Sequence, residues 1–114
     1  MSFHIPELFG GVVAFTKEQF STVNGYSNMY FAGGEDDLYE RLKAKQINVK
    51  RWAPEISRFT MLSHKKETPN QERFKLLETF KERMDRDGLI SLDYKILSTD
   101  LLPLYTRVLV DVEP

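Results

Sequence analysis

The sequence contains no cysteine, which excludes a disulfide framework and any Cys-ligated zinc site. Nor is one sign of charge in excess: 16 basic and 17 acidic side chains are interspersed, for a net charge of −1. Without a dominant basic face, the chain does not read as a general polyanion binder, and no nucleic-acid partner is expected. No apolar run approaches the length that spans a bilayer, no signal-peptide pattern opens the chain, and nothing repeats. P-loop, zinc-finger, Gly-x-Ser-x-Gly and His-Glu-x-x-His patterns are also missing. What remains is material for a folded, soluble segment. Its 114 residues are 41% hydrophobic, with 8 Phe and 5 Tyr, enough for one modest core in a small domain or part of a larger one.

Helices and strands are expected to mix without a strict βαβ rhythm. Val12 to Phe15 reads as a short buried strand entered through Gly10-Gly11. Thr16-Lys17-Glu18-Gln19 fits a capping box for a helix from Lys17 to Val23, stopped by Asn24-Gly25. Tyr26 to Phe31 is aromatic and irregular, a hydrophobic wall or a stacking platform. A helix follows from Leu38 to Lys45, with Leu38, Leu42 and Tyr39 inward and Arg41, Lys43 and Lys45 outward. Alternation predicts strands over Ile47 to Trp52, ended by Pro54, and over Arg58 to Leu62. Ser63 to Asn70 is a polar surface loop. Pro69-Asn70 then introduces a helix, Gln71 to Arg86, with Phe74, Leu77, Phe80 and Met84 on its buried face and Asp87-Gly88 as its stop. Strands are expected over Ser91 to Ser98 and Thr106 to Val112. The opening residues read as the continuation of a longer protein and Val112-Glu113-Pro114 as a chain end.

The most unusual stretch is Gly33-Gly34-Glu35-Asp36-Asp37. Two glycines free the backbone for a tight turn or close approach to a ligand, and three carboxylates then open a helix. The macrodipole favours negative charge there, so the acids have a structural explanation. The functional one is that the turn carries a carboxylate to a cleft, where it accepts a proton from a substrate hydroxyl. Met61 and His64 border the polar loop. Read on their own they are not a metal site, because thioether sulfur is a soft donor that hard cations avoid. Arg73 reads as a surface residue and Phe74 as part of the buried helix face.

Phe9-Gly10-Gly11-Val12, Thr16-Lys17-Glu18-Gln19-Phe20, Asn24-Gly25-Tyr26 and Gly33-Gly34-Glu35-Asp36-Asp37 occur in this order. They are followed by Met61-x-x-His64, Pro69-Asn70 with Arg73-Phe74, Asp87-Gly88-Leu89 with Ser91-Leu92, and Pro103-Leu104-Tyr105-Thr106 with Val110-Asp111. Together they cover nearly the whole chain, and the set resembles the C-terminal half of the β-1,4-galactosyltransferase family. The resemblance implies an α/β fold: the C-terminal part of a nucleotide-sugar glycosyltransferase fold of the Rossmann-like type, with mixed short strands and three helices. Residues 1–114 would form one acceptor-site domain.

The family's enzymes are inverting and manganese-dependent. They transfer galactose from UDP-galactose to the 4-hydroxyl of terminal N-acetylglucosamine in glycoprotein or glycolipid glycans. On this resemblance Asp36 is the catalytic base, and Glu35 and Asp37 hold acceptor hydroxyls. Arg73 and Phe74 pack the acceptor's N-acetyl group. Leu8, Phe9, Gly10, Gly11, Gly33 and Gly34 lie on the donor side, and Met61 and His64 ligate Mn2+. The Ser63 to Asn70 loop corresponds to the family's lid. The implied location is the Golgi lumen, with the membrane reached only through an anchor absent from this chain.

The chain departs from the family pattern in three places. The Asp-Val-Asp metal motif and the nucleotide-binding half are absent, so the isolated 114 residues are expected to show no transferase activity. Ala32 replaces the second Trp of the family's Trp-Gly-Trp-Gly-Gly-Glu-Asp-Asp, removing an aromatic wall. Leu8 precedes Phe-Gly-Gly where galactose-specific members often have Tyr, which would admit N-acetylgalactosamine as donor. The rival readings are a non-catalytic sugar-binding or structural fragment, and an unrelated α/β interaction domain.

Overall fold

The computed structural model describes residues 11–30, 33–66, 68 and 70–112. Among them the helices are α1 (Lys17–Thr22), α2 (Glu35–Ala44), α3 (Pro54–Ser57), α4 (Glu72–Glu78) and α5 (Phe80–Arg83). A 3₁₀ turn at Leu89–Ser91 follows, then an antiparallel hairpin of β1 (Lys95–Leu101) and β2 (Thr106–Asp111).

The capping box forms as expected. The Thr16 hydroxyl accepts from Gln19 N, while the Gln19 side chain accepts from Thr16 N at 3.0 Å. At its other end α1 closes with Asn24 in the left-handed region (φ 59°), Asn24 N bonding Ser21 O and Gly25 N bonding Phe20 O. This is the pattern of a Schellman cap, in which the left-handed residue lets two terminal carbonyls be satisfied. Helix α2 ends the same way around Gln46 (φ 58°), with Ile47 N bonding Leu42 O. Ile47 is thereby turned back onto the core cluster of Val23, Leu38 and Leu42.

That core is small. Among the described residues Val23, Leu38, Leu42, Phe80 and Met84 are the buried apolar ones; Val23, just after α1, packs with Leu38 and Leu42 of α2, and α2 in turn meets α5. The Cα radius of gyration is 16.3 Å, above the roughly 13 Å of a compact domain of this length.

Several expected elements differ. Residues 12–15, 47–52 and 58–62 are not strands. Their alternating or apolar patterns offer a face, but a strand exists only where a neighbour completes its backbone bonds, and among the described residues only β1 and β2 pair. Pro54 opens α3, where its fixed φ suits a first helical turn. Arg41 is fully buried rather than outward. The long helix from Gln71 is broken at Thr79, whose hydroxyl bonds back to the Lys75 and Leu76 carbonyls at 3.4 and 3.3 Å and competes with the helical ladder. Its buried face is also shorter than predicted: Phe80 and Met84 are buried, Leu77 is half-buried, and Phe74 is 49% exposed.

In the hairpin, Asp100 faces Arg107 across the strands in a 2.9 Å ion pair, and the register slips between Ile96 and Ser98. Val108 and Leu109, on opposite faces, are about equally exposed, at 50% and 53%. A two-stranded ribbon has no inner side until another layer covers it. Alternation in this sequence therefore did not become one-sided burial.

Candidate functional site

The Gly-Gly-acid turn forms the first turn of α2. Successive helical residues point about 100° apart, so the three neighbouring carboxylates meet three environments: Glu35 is half-buried, Asp36 exposed and Asp37 fully buried. Asp37 lies on the same face as Leu38, Arg41 and Leu42 and is drawn into the core with them.

Asp37 Oδ1 accepts from Arg41 Nε at 2.6 Å. Its Oδ2 accepts from the Tyr30 phenol at 3.1 Å and from Arg83 Nη2 at 3.3 Å. Arg83 Nη1 reaches Asp87 Oδ2 at 2.7 Å, and Arg41 Nη2 reaches the Asp87 carbonyl at 2.7 Å. The remaining Arg41 donor lies 3.3 Å from the Val23 and Gly25 carbonyls. Asp87 also accepts from Asn28 N at 2.9 Å and from the Ser27 hydroxyl. Two aspartates and two arginines thus balance in charge, with hydrogen bonds to their remaining groups, which is the condition under which buried ions are tolerated. Burial raises the Tyr30 phenol to about 12, with further upward contributions from the neighbouring Asp37 charge and the hydrogen bond to it.

Next to this cluster the two breaker pairs clasp each other. Leu89 N bonds Asn24 O at 2.8 Å, Ile90 N bonds Asn24 Oδ1 at 2.9 Å, and Asn24 Nδ2 bonds Met84 O at 3.0 Å. Asn28 Nδ2 holds the Gly88 carbonyl at 2.8 Å. The glycines are required by proximity: a Cβ on Gly88 would lie 1.9 Å from Asn24 O, and one on Gly25 2.9 Å from Leu89 Cγ. The sequence offered Asn24-Gly25 and Asp87-Gly88 as helix stops and as motifs of the resemblance, but not as partners of each other.

Gly33 takes φ +79°, and a Cβ there would sit 2.9 Å from Arg73 Cδ. Arg73 is therefore not a free surface residue but packs on the turn. Its guanidinium lies 4.7 Å from the Phe74 ring centroid, and its Nε is buried without a hydrogen-bond partner. Phe74 is half exposed beside it. Tertiary packing thus brings Gly33, at the head of the acidic turn, against Arg73 and the neighbouring Phe74, with Asp37 of the same turn fixed in the buried cluster.

Met61 is 70% exposed, and His64 is exposed with Nδ1 3.1 Å from the Leu62 carbonyl. The tautomer that donates from Nδ1 leaves Nε2 as an outward lone pair, the arrangement of a metal-ligating histidine. Among the described residues no three His, Asp or Glu groups gather into a metal cluster. Leu8, Phe9 and Gly10 lie outside the described residues, as do Phe31 and Ala32. Gly11 is exposed, with φ +74°, and a Cβ added to it would meet no atom within 4 Å. An open cleft of 440 Å³ lined by Tyr39, Lys43, Gln46, Ile47, Asn48, Val49 and Arg51 contains none of the predicted site residues.

Residues that sequence reading missed are Tyr30, Arg41, Arg83 and Asp87. The available signal was charge spacing: Asp37–Arg41 and Arg83–Asp87 are both opposite charges four residues apart, on either side of an apolar stripe.

This arrangement of a glycine-held acidic turn against an arginine–aromatic pair coincides with similarity to a known class of enzyme. A family model described as the N-terminal domain of galactosyltransferase matches residues 1–65. The chain belongs to the galactosyltransferase family, a family of hexosyltransferase enzymes. It is 42% identical over 111 residues to β-1,4-galactosyltransferase 1 of Mus musculus, covering 93% of this chain and 28% of that protein. The human protein of the same name is 41% identical, with the same coverage. Human β-1,4-galactosyltransferase 4 is 42% identical over 108 residues, covering 90% of this chain and 31% of the relative. The chain therefore spans under a third of the length of these relatives. The expected C-terminal placement within them is not fixed by the family model, whose description names an N-terminal domain.

Proposed function

We propose that this chain is the acceptor-site part of an inverting, manganese-dependent β-1,4-galactosyltransferase of the Golgi lumen. The enzyme would transfer galactose from UDP-galactose to the 4-hydroxyl of a terminal N-acetylglucosamine. The observation that carries the reading is the packing of Arg73 on Gly33, which sets a buried, unsatisfied guanidinium nitrogen and the adjoining Phe74 ring against the turn that carries the exposed Asp36. A buried donor without a partner costs about 1–3 kcal/mol, a cost that an acceptor's amide or hydroxyl oxygen relieves.

In this mechanism Asp36 removes the proton from the acceptor 4-hydroxyl as its oxygen bonds to the anomeric carbon of galactose and the bond to UDP breaks, inverting that centre. Glu35 orients the acceptor through its hydroxyls, and Arg73 with Phe74 packs the N-acetyl group. Asp37 acts from beneath: its oxygens are engaged by Arg41, Arg83 and Tyr30, so its service to the acceptor is to hold the turn. Asp36 is a weak base, and alignment of the reacting atoms offsets that weakness. Met61 and His64 would contribute to holding Mn2+, which when bound would supply charge neutralisation for the UDP leaving group. The donor is bound by Leu8 to Gly11, by Gly33 and Gly34, and by the remainder of a longer protein. The exposed apolar hairpin supports membership of a larger fold.

The test is an amide-resolved NMR titration of the 114-residue protein with N-acetylglucosamine. Shifts are expected at Gly33 to Asp36 and at Arg73 and Phe74, reduced by Arg73→Ala and weaker for glucose, which lacks the N-acetyl group. Absence of shifts at both segments would refute the reading. Leu8 favours a second donor, N-acetylgalactosamine, and a panel of UDP-sugars with the longer protein decides between them. Ala32 favours a sugar-binding fragment without catalysis, for which sugar shifts persist and manganese has no effect on them.

A further inference from the structure

We infer that Arg83 is a positioning residue: it ties the acidic turn of α2 to the end of α4 and so sets the spacing between Asp36 and the Arg73–Phe74 pair. The inference rests on the acceptor reading above. Arg83 is 11% exposed and uses its whole guanidinium fork. Nη2 donates both to Asp37 Oδ2, one residue after Asp36, and to the Leu76 carbonyl in the last turn of α4. Nη1 bonds Asp87 Oδ2 and Ser27 Oγ, and Nε lies 3.4 Å from Thr79 Oγ1 at the helix break.

Most of this cluster is already secured by Arg41, which binds Asp37 and the carbonyls of Val23, Gly25 and Asp87. None of those partners lies on α4, so the link from Asp37 to Leu76 is what Arg83 adds. Leu76 is three residues beyond Arg73, on the same side of the helix. Holding its carbonyl to the α2 cluster fixes the approach that brings Arg73 Cδ against Gly33. The break at Thr79 belongs to the device. It ends α4 at the point where Arg83, from α5, turns back to take the Leu76 carbonyl. An unbroken helix would extend that row of side chains along its own axis.

Lysine at this position keeps the charge but offers a single centre in place of a planar fork, so it cannot serve Asp37, Asp87 and Leu76 together. The experiment compares the parent protein with Arg83→Lys by NMR, following three signals. The first is the Overhauser contact between Gly33 Hα and Arg73 Hδ, the second is amide protection of Leu89 and Ile90, and the third is N-acetylglucosamine affinity. The expected result is loss of the Gly33–Arg73 contact and an affinity loss of about tenfold, the lower end of one hydrogen bond to a charged group. Protection of Leu89 and Ile90 is retained, because their bonds to Asn24 do not involve Arg83. If contact and affinity are both unchanged, the proposal is wrong. Simultaneous loss of Leu89 protection makes Arg83 a merely structural residue and also overturns it. If the parent itself shows no sugar response, the acceptor reading falls and takes this inference with it. A parent response at both segments that ignores Arg83 removes this inference alone.

Discussion

Replacing Gly88 by alanine is expected to destabilise this protein more than the same change at Gly11, Gly25, Gly33 or Gly34. The added Cβ would lie 1.9 Å from the Asn24 carbonyl oxygen and 2.9 Å from its amide group, where real contacts do not fall under 3.0 Å. The blocking atom is backbone, so a side chain cannot simply swing aside. Opening the gap breaks Leu89 N to Asn24 O and disturbs the bonds from Ile90 N and to Met84 O. Two to three lost hydrogen bonds at about 1 kcal/mol each add to backbone strain of about 1–3 kcal/mol at φ +158°. The sum is roughly 3–6 kcal/mol, a large share of the 5–15 kcal/mol typical of a whole domain. Urea unfolding followed by circular dichroism measures it. With a slope of about 2 kcal/mol per molar, the midpoint should fall by roughly 2 M. Gly11→Ala is the control: its φ is also left-handed, at +74°, but nothing lies within 4 Å, so its cost should be only the backbone strain, about 1–2 kcal/mol. Should the two variants unfold within about 1 kcal/mol of each other, the clasp between the Asn24 and Gly88 turns is not what holds these segments together.

Asp37→Asn removes one charge from a fully buried cluster and should cost about 3–5 kcal/mol by the same unfolding measurement; a neutral outcome would mean that Arg41 and Arg83 are compensated elsewhere. Asp36→Asn, one residue earlier but exposed, should change stability by less than about 0.5 kcal/mol while weakening N-acetylglucosamine shifts at the turn. A joint loss of fold would contradict the separate roles given to the two aspartates. Tyr30 favours its neutral form in the folded protein, at about 12 against an ordinary 10.0. Its stabilisation is therefore complete below pH 10 and lost as pH rises through about 12. Alkaline unfolding should be less steep in Tyr30→Phe, and an identical pH profile would show that the phenol–Asp37 contact does not form.

Local structure was read well where the signal is itself local. The capping box at Thr16 needs only residues three apart, and it formed. Leu38 and Leu42 were read as inward from helical spacing, and both are buried. Of the two final strands expected from alternation, the second formed almost as read, at Thr106–Asp111, and the first moved from Ser91–Ser98 to Lys95–Leu101; their pairing into a hairpin emerged only in the structure. Expected strands at 12–15, 47–52 and 58–62 were not realised, because a strand requires a partner that its own residues do not specify. Arg41 was read as a solvent charge and Arg73 likewise. Both were drawn inward by partners distant in sequence, Asp87 for one and Gly33 for the other.

The family was legible without coordinates, since ordered motifs can be recognised from residue order alone, and the glycines singled out the acidic turn. Only tertiary structure divided the labour within that turn. Three consecutive carboxylates are chemically alike, and the helical rotation between them becomes a difference in role only when a core covers one side. Asp37 then meets Arg41, Arg83 and Tyr30, while Asp36 remains exposed on the turn whose Gly33 packs against Arg73. The same packing turned two helix-stopping pairs, Asn24-Gly25 and Asp87-Gly88, into a clasp, because close backbone approach depends on which turns meet in space.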